Sequence, residues 1–163
     1  MRGREKGLTL IEIMIAMTVG AMVIGLLVPA TQMMMRLAPR LNNELVVAHD
    51  LAIAGRWLVR DTQASRSFTL MPGPGYGWFE WTDYSGSLPV AYKVTYYYDA
   101  GNTSLIREER RDGVIKSALP VARNILSWAD VRFEAANGTI TVKITSTAGV
   151  TSRSASIIAA RRQ

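Results

Sequence analysis

The sequence predicts an α+β fold, one long N-terminal helix followed by an antiparallel β-sheet domain, and three observations carry that expectation. No residue from 13 to 35 is charged. Apolar residues then recur at helical spacing as far as Val59, and from Pro72 onward the pattern changes to period two, with turn dipeptides between the runs. Every aromatic residue falls at or after Trp57, where a folded domain begins to supply its own core. The 163 residues therefore divide into a short basic stretch at 1–7, an apolar half-helix at 8–35, an amphipathic half-helix at 36–71 and a sheet domain at 72–163.

The uncharged run of 23 residues would be about 35 Å long as a helix, enough to cross a hydrocarbon core of about 30 Å. Arg2, Arg4 and Lys6 precede it, so the positive-inside tendency keeps the N-terminus cytoplasmic and sends the rest outward in a single pass. An ordinary signal peptide is the competing explanation, with Val28-Pro29-Ala30 as its cleavage site and Thr31 as the new N-terminus. The run is too long for that, continues as TQMMM beyond Ala30, and holds Glu12 near its start. A carboxylate in hydrocarbon is costly unless something compensates it, so Glu12 needs either a partner, the headgroups or the helix N-terminus.

Arg4-Glu5-Lys6-Gly7 followed by Leu8-Thr9-Leu10-Ile11-Glu12 resembles the class III leader of type IV pilins and type II secretion pseudopilins. The resemblance implies that a prepilin peptidase in the inner membrane cuts between Gly7 and Leu8, removing residues 1–7, and methylates the new amine of Leu8. It also implies that the apolar segment is kept. Pro29 lies 21 residues beyond Leu8, where many of these proteins have proline. Most major pilins have Phe where this chain has Leu8, which is more like a minor subunit. The family's glutamate, here Glu12, is expected to meet the N-terminal amine of a neighbouring subunit as it leaves the membrane, since a paired carboxylate is far less costly than an isolated one. Pro29 removes the bond to the carbonyl of Gly25, so residues 25–29 are expected to kink or melt.

Beyond the membrane segment, Leu37, Leu41, Leu45, Ala48, Ala52, Gly55 and Val59 form a stripe expected to pack on the sheet. Arg36, Arg40, Asn43, Glu44, Asp50, Arg60 and Asp61 fall on other faces, and Pro39 should bend the helix near residues 35–38. His49, the one histidine, reads as a surface residue.

In the sheet domain Val90, Tyr92, Val94, Tyr96 and Tyr98 alternate with more polar neighbours as far as the turn at Asp99-Ala100-Gly101-Asn102. A strand returns over 103–110, Asp112-Gly113 turns again, and Asn137-Gly138 joins Val131, Phe133 and Ala135 to Ile140, Val142 and Ile144. A last strand covers 154–160, giving one sheet of about five to seven strands. The segment YYYDAGNTSLIREERRDG, then ALPVARNI and the Asn-Gly hairpin, resembles minor pilins and J-type pseudopilins most. Absence of cysteine means that packing alone holds this domain together.

No catalytic constellation is present: one histidine and no cysteine leave no nucleophile-base pair and no zinc set, and neither a P-loop nor a dinucleotide fingerprint occurs. The chain is expected to be no enzyme and to need no cofactor or metal. Asp99 to Ser104 offers oxygens to calcium but reads as a turn. The aromatic run from Tyr76 to Tyr84 reads as one buried strand face, and Arg107, Arg110 and Arg111, diluted by Glu108 and Glu109, as a solvated hairpin. The expected function is a structural subunit of a pilus or pseudopilus, seated in the bacterial inner membrane with its C-terminal domain outside the cytoplasm. Its expected partners are prepilin peptidase, other pilins or pseudopilins, the inner-membrane assembly platform and membrane lipid; nucleic acid is compatible with a net charge of +6 but is not the expected partner, because scattered charges of this size usually serve solubility. The alternatives are a filament-tip protein that recognises DNA or a secreted substrate, and a secreted domain cut after Ala30.

Overall fold

The computed structural model describes residues 9–71 and 75–160. The chain forms two compact units, Met1–Leu41 and Asn42–Gln163. Helix α1, Leu10–Ala64, supplies the first unit and opens the second. By length and composition it is apolar enough to cross a membrane, and its most apolar window buries nothing within the molecule. Leu, Met, Ala and Ile dominate this half, and with their hydrocarbon side chains exposed they suit a lipid environment.

The helix is unbroken through Pro29 and Pro39, so the melted segment expected at 25–29 does not occur. A lone proline forfeits one backbone bond and the flanking bonds persist. Close by, the Thr31 hydroxyl donates to the carbonyls of Leu27 and Val28, at 3.0 and 2.9 Å. The helix also ends earlier than the expected boundary at 71. Ser65 closes it, its N–H on the Asp61 carbonyl and its hydroxyl on that of Thr62, and Arg66 N–H already bonds Glu80 of the sheet. The first strand, β1 (Ser67–Leu70), therefore lies inside the stretch expected to be helical, and is too short for its alternation to stand out.

Among the described residues eight strands form two antiparallel sheets instead of the single sheet of five to seven. The first sheet orders β1, β2 (Gly75–Asp83), β3 (Val90–Asp99), β4 (Ser104–Arg111) and β5 (Val114–Ala122) as a meander. The second holds β6 (Val131–Ala136), β7 (Thr139–Ala148) and β8 (Thr151–Ala160). Asp112-Gly113 and Asn137-Gly138 take positive φ at both central residues, as the type I′ hairpin turn requires. The division falls at 123–130, where Asn124 is left-handed and a 3-10 turn, Trp128–Asp130, is capped by Ser127 and Asp130. That irregular connection carries the chain from one sheet to the other.

The core of the second unit lies between α1 and both sheets. Ala54 and Leu58 of the helix meet Phe79, Val94, Tyr96 and Leu105 of the first sheet and Phe133, Ile140, Val142 and Ile144 of the second. Phe133 joins the sheets through rings, its centroid 5.9 Å from Phe68, 5.4 Å from Tyr76 and 5.9 Å from Tyr96. The buried helix positions are Val47, Asp50, Ala54, Leu58, Asp61 and Thr62, not the expected stripe, whose Leu37, Leu41, Leu45, Ala48 and Ala52 are exposed. Asp50 and Asp61, expected to face solvent, are buried because partners wait in the sheet domain: Asn124 donates to Asp50 at 3.3 Å, and Arg107 grips Asp61. Hydropathy scores both aspartates as surface residues, so periodicity selected the wrong face.

Gly77 sets the closeness of β1 and β2. A Cβ there would lie 2.6 Å from the Thr69 carbonyl oxygen and 2.7 Å from the Phe68 ring. Gly77→Ala should cost about 1–3 kcal/mol through overpacking. Gly86→Ala, where the nearest atom is at 3.7 Å, should cost little. Equal melting temperatures for the two variants would contradict this close approach.

Candidate assembly site on the N-terminal helix

Gly7 and Leu8 lie outside the described residues; the site is built from Thr9 onward. Thr9 caps α1, its carbonyl accepting from the N–H groups of Glu12 (3.0 Å) and Ile13 (3.3 Å). The Glu12 carboxylate reaches back one turn, and its Oε2 accepts from both the N–H and the hydroxyl of Thr9, each at 2.8 Å. The Glu12 N–H lies 3.4 Å from the Thr9 hydroxyl oxygen. This is the reciprocal arrangement of a capping box, and its Thr-x-x-Glu spacing was legible in the sequence although only the leader resemblance was read from it.

The carboxylate therefore has donors within its own helix turn. Two N-terminal helix donors that hydrocarbon could not satisfy are served at the same time. Among the described residues both carboxylate bonds fall on Oε2. Deeper in the segment the Thr18 hydroxyl donates to the Met14 carbonyl at 2.8 Å, so this polar group too is satisfied within the helix. Pro29 lies within α1 as described above, and among the described residues nothing beyond the helix's own backbone lies within 4 Å of where a Cβ on Gly20 or Gly25 would stand.

The other candidates separate. Arg107, expected on a solvated hairpin, is buried, and its guanidinium holds Asp61 in a bidentate pair at 2.7 and 2.8 Å. Its remaining nitrogen reaches Glu109 at 3.1 Å, Tyr96 donates its hydroxyl to Asp61 at 2.6 Å, and the guanidinium carbon stands 4.4 Å from the Trp57 ring centre. Burial works against the Arg107 charge, but Asp61 outweighs it and holds the guanidinium above its ordinary range. Burial, then the Asp61 carboxylate, pushes the Tyr96 hydroxyl well up. The cluster fastens the end of α1 to β3 and β4. Arg110 and Arg111 do face outward, paired to Glu108 at 2.7 Å and Glu109 at 2.9 Å.

Asp99 turns its carboxylate onto its own loop, accepting from Gly101 N–H at 2.9 Å and the Asn102 amide at 2.6 Å. Among the described residues no three His, Cys, Asp or Glu side chains gather as a metal site. His49 is exposed. Of the aromatic run, Tyr76 and Phe79 are buried, Trp78 and Trp81 are half-buried, and Tyr84 is exposed.

Residues 2–28 match the model of the prokaryotic N-terminal methylation motif. No curated protein and no solved structure matches the chain. The motif supports a type IV pilin-like protein, processed by prepilin peptidase and assembled with other pilins. Together with the long apolar helix it is consistent with anchoring in the inner membrane.

Proposed function

We propose that this chain is a minor pilin or pseudopilin: cut between Gly7 and Leu8, methylated on Leu8, held in the inner membrane with its sheet domain outside the cytoplasm, and drawn through the assembly platform into a pilus or secretion pseudopilus. The observation that carries this reading is the continuity of the methylation motif with a capped helix long enough to span a membrane. Leu8 in place of the more usual aromatic residue supports a minor role. The work of such a subunit is assembly, driven by helix packing and by the pairing of Glu12, with no bond-making step after processing.

Mass spectrometry of the mature chain tests it. The expected N-terminus is methylated Leu8, and Gly7→Arg should retain residues 1–7, because the peptidase must accept a compact backbone at the cut. A mature chain beginning at Thr31, or unchanged processing in Gly7→Arg, would overturn the proposal.

A further inference from the structure

The solvent face of the five-stranded sheet carries more chemistry than a sheet surface needs. β2 and β3 fill the core with Phe79, Val94 and Tyr96, and the alternate positions point the other way. There the ladder sets Trp78 opposite Thr95, Glu80 opposite Lys93, Thr95 opposite Glu108, and Lys93 opposite Arg110. An irregularity between Gly75 and Gly77 offsets β2 immediately before Trp78. The result is a shallow hollow of about 440 Å³, with Trp78, Lys93, Thr95, Tyr97, Glu108 and Arg110 among its lining residues. None of these six belongs to the buried cluster or to the assembly helix.

We propose that this hollow binds a saccharide, a pyranoside with an apolar face. Such a sugar presents C–H groups above and below its ring and hydroxyls around its edge. Trp78 and Tyr97 supply aromatic surface for the first, and Thr95, Glu108, Arg110 and Lys93 supply both donors and acceptors for the second. Charge disfavours the obvious competitor. Lys93 is paired with Glu80, beside the hollow, at 3.3 Å and Arg110 with Glu108 at 2.7 Å, so each cation already has a carboxylate partner and draws a polyphosphate weakly. The Lys93 ammonium stands over the Trp78 ring, 4.1 Å from its centre, so a sugar that stacks on that face takes the place of this exposed lysine head and keeps it as a donor at its edge. Partial burial, then Glu108 and Asp99, raise the Tyr97 hydroxyl above its ordinary range, so it stays a neutral donor. The site is independent of the assembly role and stands whether or not the chain enters a filament.

The full chain in a zwitterionic, sugar-free detergent tests the proposal by saturation-transfer NMR with cellobiose and chitobiose. A maltoside detergent would compete. Transfer to the sugar ring protons should saturate at millimolar concentration for at least one of the two, a weak affinity suited to a shallow site. Trp78→Ala should weaken binding about tenfold or more, as expected for a lost stacking platform. Glu108→Gln should weaken it several-fold while the fold is retained, because glutamine keeps the shape of a side chain that is only 14 % exposed and can still accept from Arg110. The Glu108→Gln result decides if Trp78→Ala does not fold. No saturable transfer with either sugar, or transfer unaffected by Glu108→Gln, overturns the proposal. So does salt-sensitive binding of a thymidine oligonucleotide in the absence of sugar binding, which would make the face a nucleic-acid platform.

Discussion

Arg107→Ala lowers the stability of the sheet domain by about 3–5 kcal/mol, the cost of leaving one member of a buried ion pair without its partner. Among the described residues the Asp61 carboxylate would keep the Tyr96 hydroxyl alone, at 2.6 Å, in a site that is 1 % exposed. The converse change, Asp61→Ala, strands the guanidinium with Glu109 and the Trp57 ring, and should cost a similar amount. Removing both charges is a different experiment. Asp61→Leu with Arg107→Met replaces the pair by apolar groups of comparable size and should recover much of the loss, since neither charge is then desolvated alone. Thermal unfolding of the full chain in detergent, followed by near-ultraviolet circular dichroism of its tryptophans, reads all three. Additive losses in the double variant would show that the two residues act separately and that the pair is not what fastens α1 to β4.

Glu12→Gln abolishes incorporation into filaments while leaving processing at Gly7 and membrane insertion intact. The choice of substitution follows from the capping geometry. Glutamine at the third helical position still reaches back to the Thr9 N–H, so the helix start is preserved and only the charge is lost. If Glu12 serves only the cap, Glu12→Gln assembles like the parent. If its charge pairs with the amine of a neighbouring subunit, assembly fails with the cap intact. Glu12→Ala loses both the cap and the pair, and Glu12→Lys should be worst, because it sets a cation against that amine in low dielectric and puts a positive group at the helix N-terminus. Crosslinking to partner pilins, with leader removal scored in the same cells, separates these outcomes. Normal crosslinking of Glu12→Gln would refute the pairing account and leave Glu12 a capping residue.

What the sequence determined by itself is the local part of this protein. The apolar run from Ile13 to Met35 dictates a helix with lipid-compatible faces, and Asp112-Gly113 and Asn137-Gly138 dictate tight hairpins through their tolerance of positive φ. Thr9 and Glu12 sit three residues apart, so their contact is local too, and it could have been read from spacing alone. Only the tertiary structure decided which face of α1 is buried. The apolar stripe through Leu45, Ala48 and Ala52 is left outside, and the face carrying Asp50 and Asp61 goes in, because Asn124 and Arg107 meet those carboxylates from segments 74 and 46 residues away. A buried charge is tolerable only with its partner in place, and no local window of sequence contains both. The division into two sheets has the same origin: hydrogen-bond partners across strands are non-local, and alternation marks a strand without saying which sheet receives it.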